Sequence, residues 1–271
     1  SAQDTEPKIL ITKSDGSYLY ITTDLATVLY RQNNFSYDKV LYIVDNRQSL
    51  HFKQLFDSIN FFGFNNLYHE HISYGTLNDS DGNPFKTRDG GTKPLSELFE
   101  ETYRYIKNIN DSLEESTIKQ LTNSVLTFSD LITNRKTDYK FDLEKFTNVN
   151  GKTGIYVQYA QVRAKKLLKS LDQSRDDPDN LLLTEVDKKL LSKLFMFGYF
   201  LEQALSLNEP HHLANYLYDI SNLFNQFYES EKVSELTDLG QLSSKIFLIN
   251  LFLTTSHNVM YCLGIVPAEQ M

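Results

Sequence analysis

Two cations in a glycine-rich loop are the most chemically suggestive feature of this chain. Phe85-Lys86-Thr87-Arg88-Asp89-Gly90-Gly91 sets a Lys and an Arg ahead of paired glycines. Such a loop can carry positive charge onto phosphate oxygens as negative charge grows there, and its glycines permit close backbone approach and a hinge. Hairpin loops have a similar composition, so both readings stand on composition alone. Asp24 is a second candidate, because a carboxylate can take a planar guanidinium bidentately. By spacing alone, Asp24 is better explained as an acid near a helix N-terminus, worth up to about 1 kcal/mol through the macrodipole. Gln48 and His51 follow an apolar run at the end where open α/β sheets bind ligands, although a surface helix also carries such residues. Gly75 and Thr76 close His71-Ile-Ser-Tyr74, which reads as a strand ending at a glycine turn. Arg163, Lys165, Lys166 and Lys169 make a basic run that suits a phosphate track or a solvated helix face.

The elements that must position these residues change character along the chain. Lys8–Lys13 and Tyr18–Thr22 read as short strands joined by the turn Ser14-Asp15-Gly16-Ser17, with a helix over Asp24–Arg31. Lys39–Val44 is a continuous apolar run, the pattern of a strand buried on both faces. A helix over Leu50–Phe61 and a strand over Leu67–Ile72 complete a right-handed strand–helix–strand unit and an α/β class. Residues 79–92 form a polar loop. Leu95, Leu98, Phe99, Tyr103 and Ile106 mark an amphipathic helix opened by Pro94, and Ile118–Phe128 a second. Beyond, the pattern is helical: Ile155–Leu171, a break at Ser174–Asn180, and a helix to about Leu205 opened by Thr184 with Asp187. A helix from Pro210 carrying Leu213, Leu217, Ile220, Phe224 and Phe227 follows, and Ser243–Cys262 is the last. Helices joined by short loops imply a bundle, and the boundary is expected near 145–152.

Composition narrows the class without naming a function. The 271 residues are 41% apolar and 23% charged, ordinary for a globular protein. A single cysteine, Cys262, excludes an internal disulfide framework and a Cys-based zinc site, and no metal-ligand motif stands out. No run is apolar enough for a transmembrane helix, and a cytoplasmic location is expected. The net charge of −8 argues against a surface that binds nucleic acid everywhere, not against a local basic face.

Four ordered segments resemble arginyl-tRNA synthetases, which are class I enzymes. They are Asp15-Gly16-Ser-Tyr-Leu-Tyr20-Ile-Thr-Thr-Asp24-Leu-Ala26; Val40-Leu-Tyr-Ile-Val-Asp45-Asn-Arg-Gln48-Ser-Leu-His51; Asp81-Gly82-Asn-Pro84-Phe-Lys86-Thr-Arg88-Asp-Gly90-Gly91-Thr92; and Asn134-Arg-Lys-Thr-Asp138 through Tyr156-Val-Gln158-Tyr159-Ala160-Gln-Val-Arg163. Glu209-Pro-His-His-Leu-Ala-Asn-Tyr216 and the closing Leu263-Gly264-Ile265 to Met271 fit as well. The family's His-Ile-Gly-His-type motif is absent, so the chain is expected to be a C-terminal half, either truncated or a short gene product.

The resemblance implies a partial, Rossmann-like α/β catalytic domain over 1–148 and an all-α anticodon-binding bundle over 149–271. It implies activation of arginine by ATP, with Mg²⁺, and transfer to tRNA(Arg) by a family of monomers. Tyr20, Asp24 and Gln48 would bind arginine. Lys86 and Arg88 would be catalytic, in place of the class I Lys-Met-Ser-Lys-Ser loop. His51, Gly75, Thr76 and Lys86 would face ATP, and Arg163, Lys166, Tyr216 and Met271 would face tRNA. Alone, this half is expected to be inactive. The rival expectation is a non-catalytic paralogue that binds tRNA or regulates.

Overall fold

Ile21, Leu25 and Val28 recur at helical spacing, and the computed structural model of this chain buries all three. It describes residues 9–64, 67–78, 94–171 and 180–271. The chain divides into two compact units, Ser1–Thr76 and Leu77–Met271.

In the first unit, α1 (Tyr20–Asn34) packs on α2 (Ser49–Phe61). Strand β1 (Lys39–Asp45) runs parallel to β2 (Tyr68–Tyr74), in register from Lys39 opposite Tyr68 to Asp45 opposite Tyr74. Tyr42 and Val44 join the helical core of Leu25, Val28, Phe52 and Leu55. Leu41 and Ile43 alternate onto the other face and stay 41% and 68% exposed. The expectation of a strand buried on both faces is therefore corrected: the described helices of this unit cover only one. The expected strand Tyr18–Thr22 is corrected too. The turn itself forms, with Gly16 at φ +81° and Lys13 N–H donating to Ser17 O at 2.9 Å. Past the single bridge Thr12–Tyr18, however, the chain is already helical at Tyr20. Burying Ile21, Leu25 and Val28 against α2 outweighs the β-propensity of Tyr-Ile-Thr-Thr. The Thr22 hydroxyl donates to the Ile11 carbonyl and ties the preceding segment to α1.

The second unit opens with β3 (Leu77–Asn78), parallel to β4 (Tyr139–Lys140). Its helices are α3 (Leu95–Ile109), α4 (Glu115–Leu131), α5 (Leu143–Phe146), α6 (Gly154–Lys169), α7 (Glu185–Leu194), α8 (Phe197–Leu207), α9 (His211–Ser230) and α10 (Leu239–Cys262). Leu213, Leu217, Ile220, Phe224 and Phe227 are all buried, as their spacing predicts, and the core gathers α6, α7, α9 and α10 around them. The capping box of Thr184 and Asp187 is present, but the helix it opens stops at Leu194 instead of Leu205. The Tyr216 hydroxyl donates to Leu194 O at 3.0 Å, taking the carbonyl that a continuous helix would offer to the N–H of Gly198. Across the expected boundary at 145–152, α4 packs on α6. Ile106, Ile118, Leu121 and Val125 share one core with Ile155, Val162 and Ala268. No helix among the described residues is long and apolar enough to cross a membrane.

Candidate functional site

The first cluster lies on α1 and the start of α2. Tyr20 and Asp24 sit one turn apart on α1, so their side chains share a face. Tyr20 is 87% exposed. Asp24 Oδ2 meets His51 Nε2 at 2.7 Å, with the two side chains 44% and 27% exposed. That contact leaves the carboxylate reachable from solvent. Gln48, exposed, is the N-cap residue of α2, one turn before His51, and its side chain makes no cap hydrogen bond. The His51 ring stands edge-on to Phe52 at 5.4 Å. Phe52 stacks on His71 at 4.5 Å, and His71 Nε2–H donates to Val44 O at 3.0 Å. His51, expected to face ATP, is thus held on Asp24, a partner its sequence spacing does not disclose.

The parallel strands end together. Asp45 is opposite Tyr74, so Asn46–Gln48 and Gly75–Thr76 leave the sheet at the same edge, the C-terminal one. There Asp45 takes a bidentate grip on Arg47, from Nε at 2.9 Å and from Nη2 at 2.8 Å, and accepts from the Arg47 backbone N–H at 2.7 Å. These hydrogen bonds hold the Asp45 carboxyl below its ordinary range. Lys86 and Arg88 lie outside the described residues.

The second cluster is on the bundle. The Arg163 guanidinium lies 4.5 Å from the ring centre of Tyr159 and 4.5 Å from that of Tyr228. It donates to Tyr159 Oη at 2.9 Å and to Asn225 Oδ1 at 2.9 Å, and approaches Glu229 Oε1 at 3.6 Å. Arg163, Tyr159 and Tyr228, with Lys166, Ser170 and Met271, line a cleft of about 320 Å³. The C-terminal segment reaches it because Gln158, fully buried, donates to Val266 O and Ser124 Oγ at 2.7 Å each and accepts from Ala268 N–H at 2.8 Å. Lys166 Nζ then donates to Met271 O at 3.4 Å. Arg163, Lys166 and Met271 therefore converge.

Tyr216 does not, and its assignment to an RNA face is corrected. It has no exposed surface, stacks on Phe200 at 4.9 Å, and burial raises its phenol above the ordinary value. An aromatic in a helix heptad fits core and RNA face equally well in sequence. Tyr159, 41% exposed, stands against Arg163 instead; its signal was the four-residue spacing to Arg163.

Comparison with known proteins places these clusters in context. Residues 4–143 match the family model for class I (R) tRNA synthetases, catalytic domain, and residues 157–271 match the DALR anticodon binding domain. The chain is 37% identical over 257 residues to the arginine–tRNA ligase of Francisella tularensis subsp. novicida, a match over 91% of this chain and 44% of that protein. To the arginine–tRNA ligase of Pseudomonas putida it is 36% identical, over 97% of this chain and 48% of that one. The fold resembles the arginyl-tRNA synthetase of Plasmodium falciparum, with TM-score 0.81, 24% identity and coverage of 100% and 48%. It also resembles the Thermus thermophilus arginyl-tRNA synthetase, with TM-score 0.82, 21% identity and coverage of 97% and 51%. The chain spans about half the length of the curated relatives it matches.

Proposed function

This chain belongs to the arginyl family of class I tRNA synthetases, and we propose that it is the half of an arginine–tRNA ligase that holds the guanidinium of arginine and the anticodon arm of tRNA. The observation that carries the reading is the Asp24–His51 contact. A carboxylate steered through one oxygen by an imidazole presents its other oxygen in a fixed direction, and a guanidinium rewards fixed direction more than an ammonium does. Tyr20 lines this site from one turn away and Gln48 closes it from the head of α2. His51 is a positioning residue here.

In the proposed reaction the arginine carboxylate attacks the ATP α-phosphate and pyrophosphate leaves. Lys86 and Arg88 stabilise the charge growing on the phosphate oxygens, and Gly75 and Thr76 border the adenine edge. Mg²⁺ accompanies ATP in such enzymes by resemblance, yet the described carboxylates near this edge do not suit it. Asp45 is spent on Arg47, and Asp24, held by His51 through one oxygen, offers its other oxygen to the guanidinium, whereas Mg²⁺ takes one or two carboxylates besides the phosphates. No step is assigned to it.

Two measurements test this reading. Joined to the upstream half of a related enzyme, the chain should support arginine-dependent ATP–pyrophosphate exchange, and Asp24→Asn should lower kcat/KM for arginine by about thirtyfold or more, the scale for removing one member of a charge-assisted pair. His51→Ala should raise KM mainly. An Asp24→Asn enzyme with wild-type KM ends the assignment.

On the bundle, single-stranded bases are bound by stacking on aromatic and guanidinium planes. Arg163→Ala should weaken binding of an anticodon stem-loop by about tenfold or more and make the log–log salt slope shallower by about 1. Arg163→Lys should not rescue it, since an ammonium cannot stack between Tyr159 and Tyr228. Filter-binding titrations across salt measure both. Tyr216→Phe, on this view, leaves RNA affinity untouched, and an effect as large as that of Arg163→Ala would remove the cleft from the reading.

A further inference from the structure

We propose that Glu209, His211 and His212 form a binding site for one divalent transition-metal ion of the zinc class, at the turn joining α8 to α9. The turn is sharply defined: Asn208 adopts a left-handed φ of 52° and Pro210 is the N-cap residue of α9. The two imidazoles stack with ring centres 4.2 Å apart. His211 Nδ1 and His212 Nε2 face the same carboxylate oxygen, Glu209 Oε2, at 3.9 and 3.5 Å. These distances exceed a hydrogen bond. Both nitrogens are shut off from solvent, and neither has a hydrogen-bond partner among the described residues.

Buried polar atoms without partners are uncommon, and two side by side facing a carboxylate suit a shared cation. Ligands around a tetrahedral zinc stand roughly 3.3 Å apart, from bonds of about 2.0–2.1 Å. The two His–Glu spacings exceed that by roughly 0.2–0.6 Å, and the candidate ligand atoms all lie within 4.8 Å of one another. Lys136 Nζ approaches the second carboxylate oxygen at 3.9 Å, and Arg135 Nε donates to Asn208 O at 2.9 Å. These two cations oppose a third, so affinity should fall short of that of buried structural zinc sites. Three protein ligands leave a fourth position for water. None of the three residues belongs to the arginine site or the Arg163 cleft, so this inference stands apart from the ligase reading.

Calorimetric titration of the metal-stripped 271-residue chain with Zn²⁺ tests it. The expected result is one ion per chain, with affinity reduced about tenfold or more in Glu209→Gln and in His212→Ala, and unchanged in His257→Ala. Zn²⁺ should also raise the melting temperature of the wild type and not that of Glu209→Gln, a near-isosteric change. Absence of stoichiometric binding, or binding that survives both Glu209→Gln and His212→Ala, overturns the proposal.

Discussion

Lys245→Ala is expected to destabilise the chain by about 3–5 kcal/mol, the range for stranding one member of a buried ion pair. Lys245, only 2% exposed, sits inside the bundle on α10. Its ammonium lies 2.8 Å from each carboxylate oxygen of Asp187, 3.1 Å from Glu231 Oε2, and 5.1 Å from the centre of the Phe227 ring. Asp187 has no exposed surface and is doubly engaged, since it also accepts the Thr184 N–H at 2.8 Å to close the capping box of α7. Removing the ammonium leaves that carboxylate buried with one backbone donor. Lys245→Met isolates the charge from the stem, because it keeps most of the packing volume, and it should cost nearly as much. Adding Asp187→Asn should return part of the loss, so the double-mutant cycle should give a coupling of about 1–3 kcal/mol. Urea denaturation followed by circular dichroism reads these variants and the Asp187→Asn single variant that completes the cycle. A Lys245→Met protein as stable as the wild type would mean that the pair is not closed in solution.

Gly154→Ala should cost about 3 kcal/mol, at the upper end for overpacking a core. At an ordinary helix start this change would stabilise, because Ala loses less conformational entropy. Here a Cβ would stand 2.2 Å from Ser124 O and 2.4 Å from Ser124 C, and both are backbone atoms of α4 that no rotamer can move away. Helices α4 and α6 must separate. Separation also breaks the 2.7 Å hydrogen bond from Gln158 to Ser124 Oγ, and Gln158 is the anchor of Val266 and Ala268. Loss of thermal stability should therefore be accompanied by weaker stem-loop RNA binding, as Met271 leaves the cleft. Thermal melts and RNA titrations on one preparation measure both, and a stability at or above wild type would show that the helices give way freely. Gly151→Ala, whose added Cβ would meet a side-chain carbon of Thr153 at 3.3 Å, is the milder control.

Much of the fold was legible from residue order alone. A continuous apolar run marked β1, and recurrence every three to four residues marked helices such as α2, α3 and α9 within a few residues of their ends, because that period is what an amphipathic helix requires. The candidate arginine residues were legible only through their resemblance to a family: by spacing, Asp24 was a helix acid like many others. Local competition explains the errors. Tyr18–Thr22 has the composition of a strand, yet Ile21, Leu25 and Val28 also make a helical stripe, and the neighbouring α2 decided between them. Lys39–Val44 is apolar throughout, and no property of the run itself says how many of its faces are covered.

By itself, the sequence determined most of the helices and the two paired strands of the first unit, the family, and the residue types able to grip a guanidinium or a phosphate. Tertiary structure alone decided their partners. His51 turned to Asp24 across 27 residues, Lys245 to Asp187 across 58, and Gln158 to the chain terminus across 108 and 110. It also separated Tyr216, sealed against Phe200, from Tyr159 and Tyr228, stacked about Arg163. The physical reason is that periodicity states only that a side chain turns inward or outward relative to its own helix. Which atom it meets, and whether it is sealed there, depends on how helices distant in sequence cross.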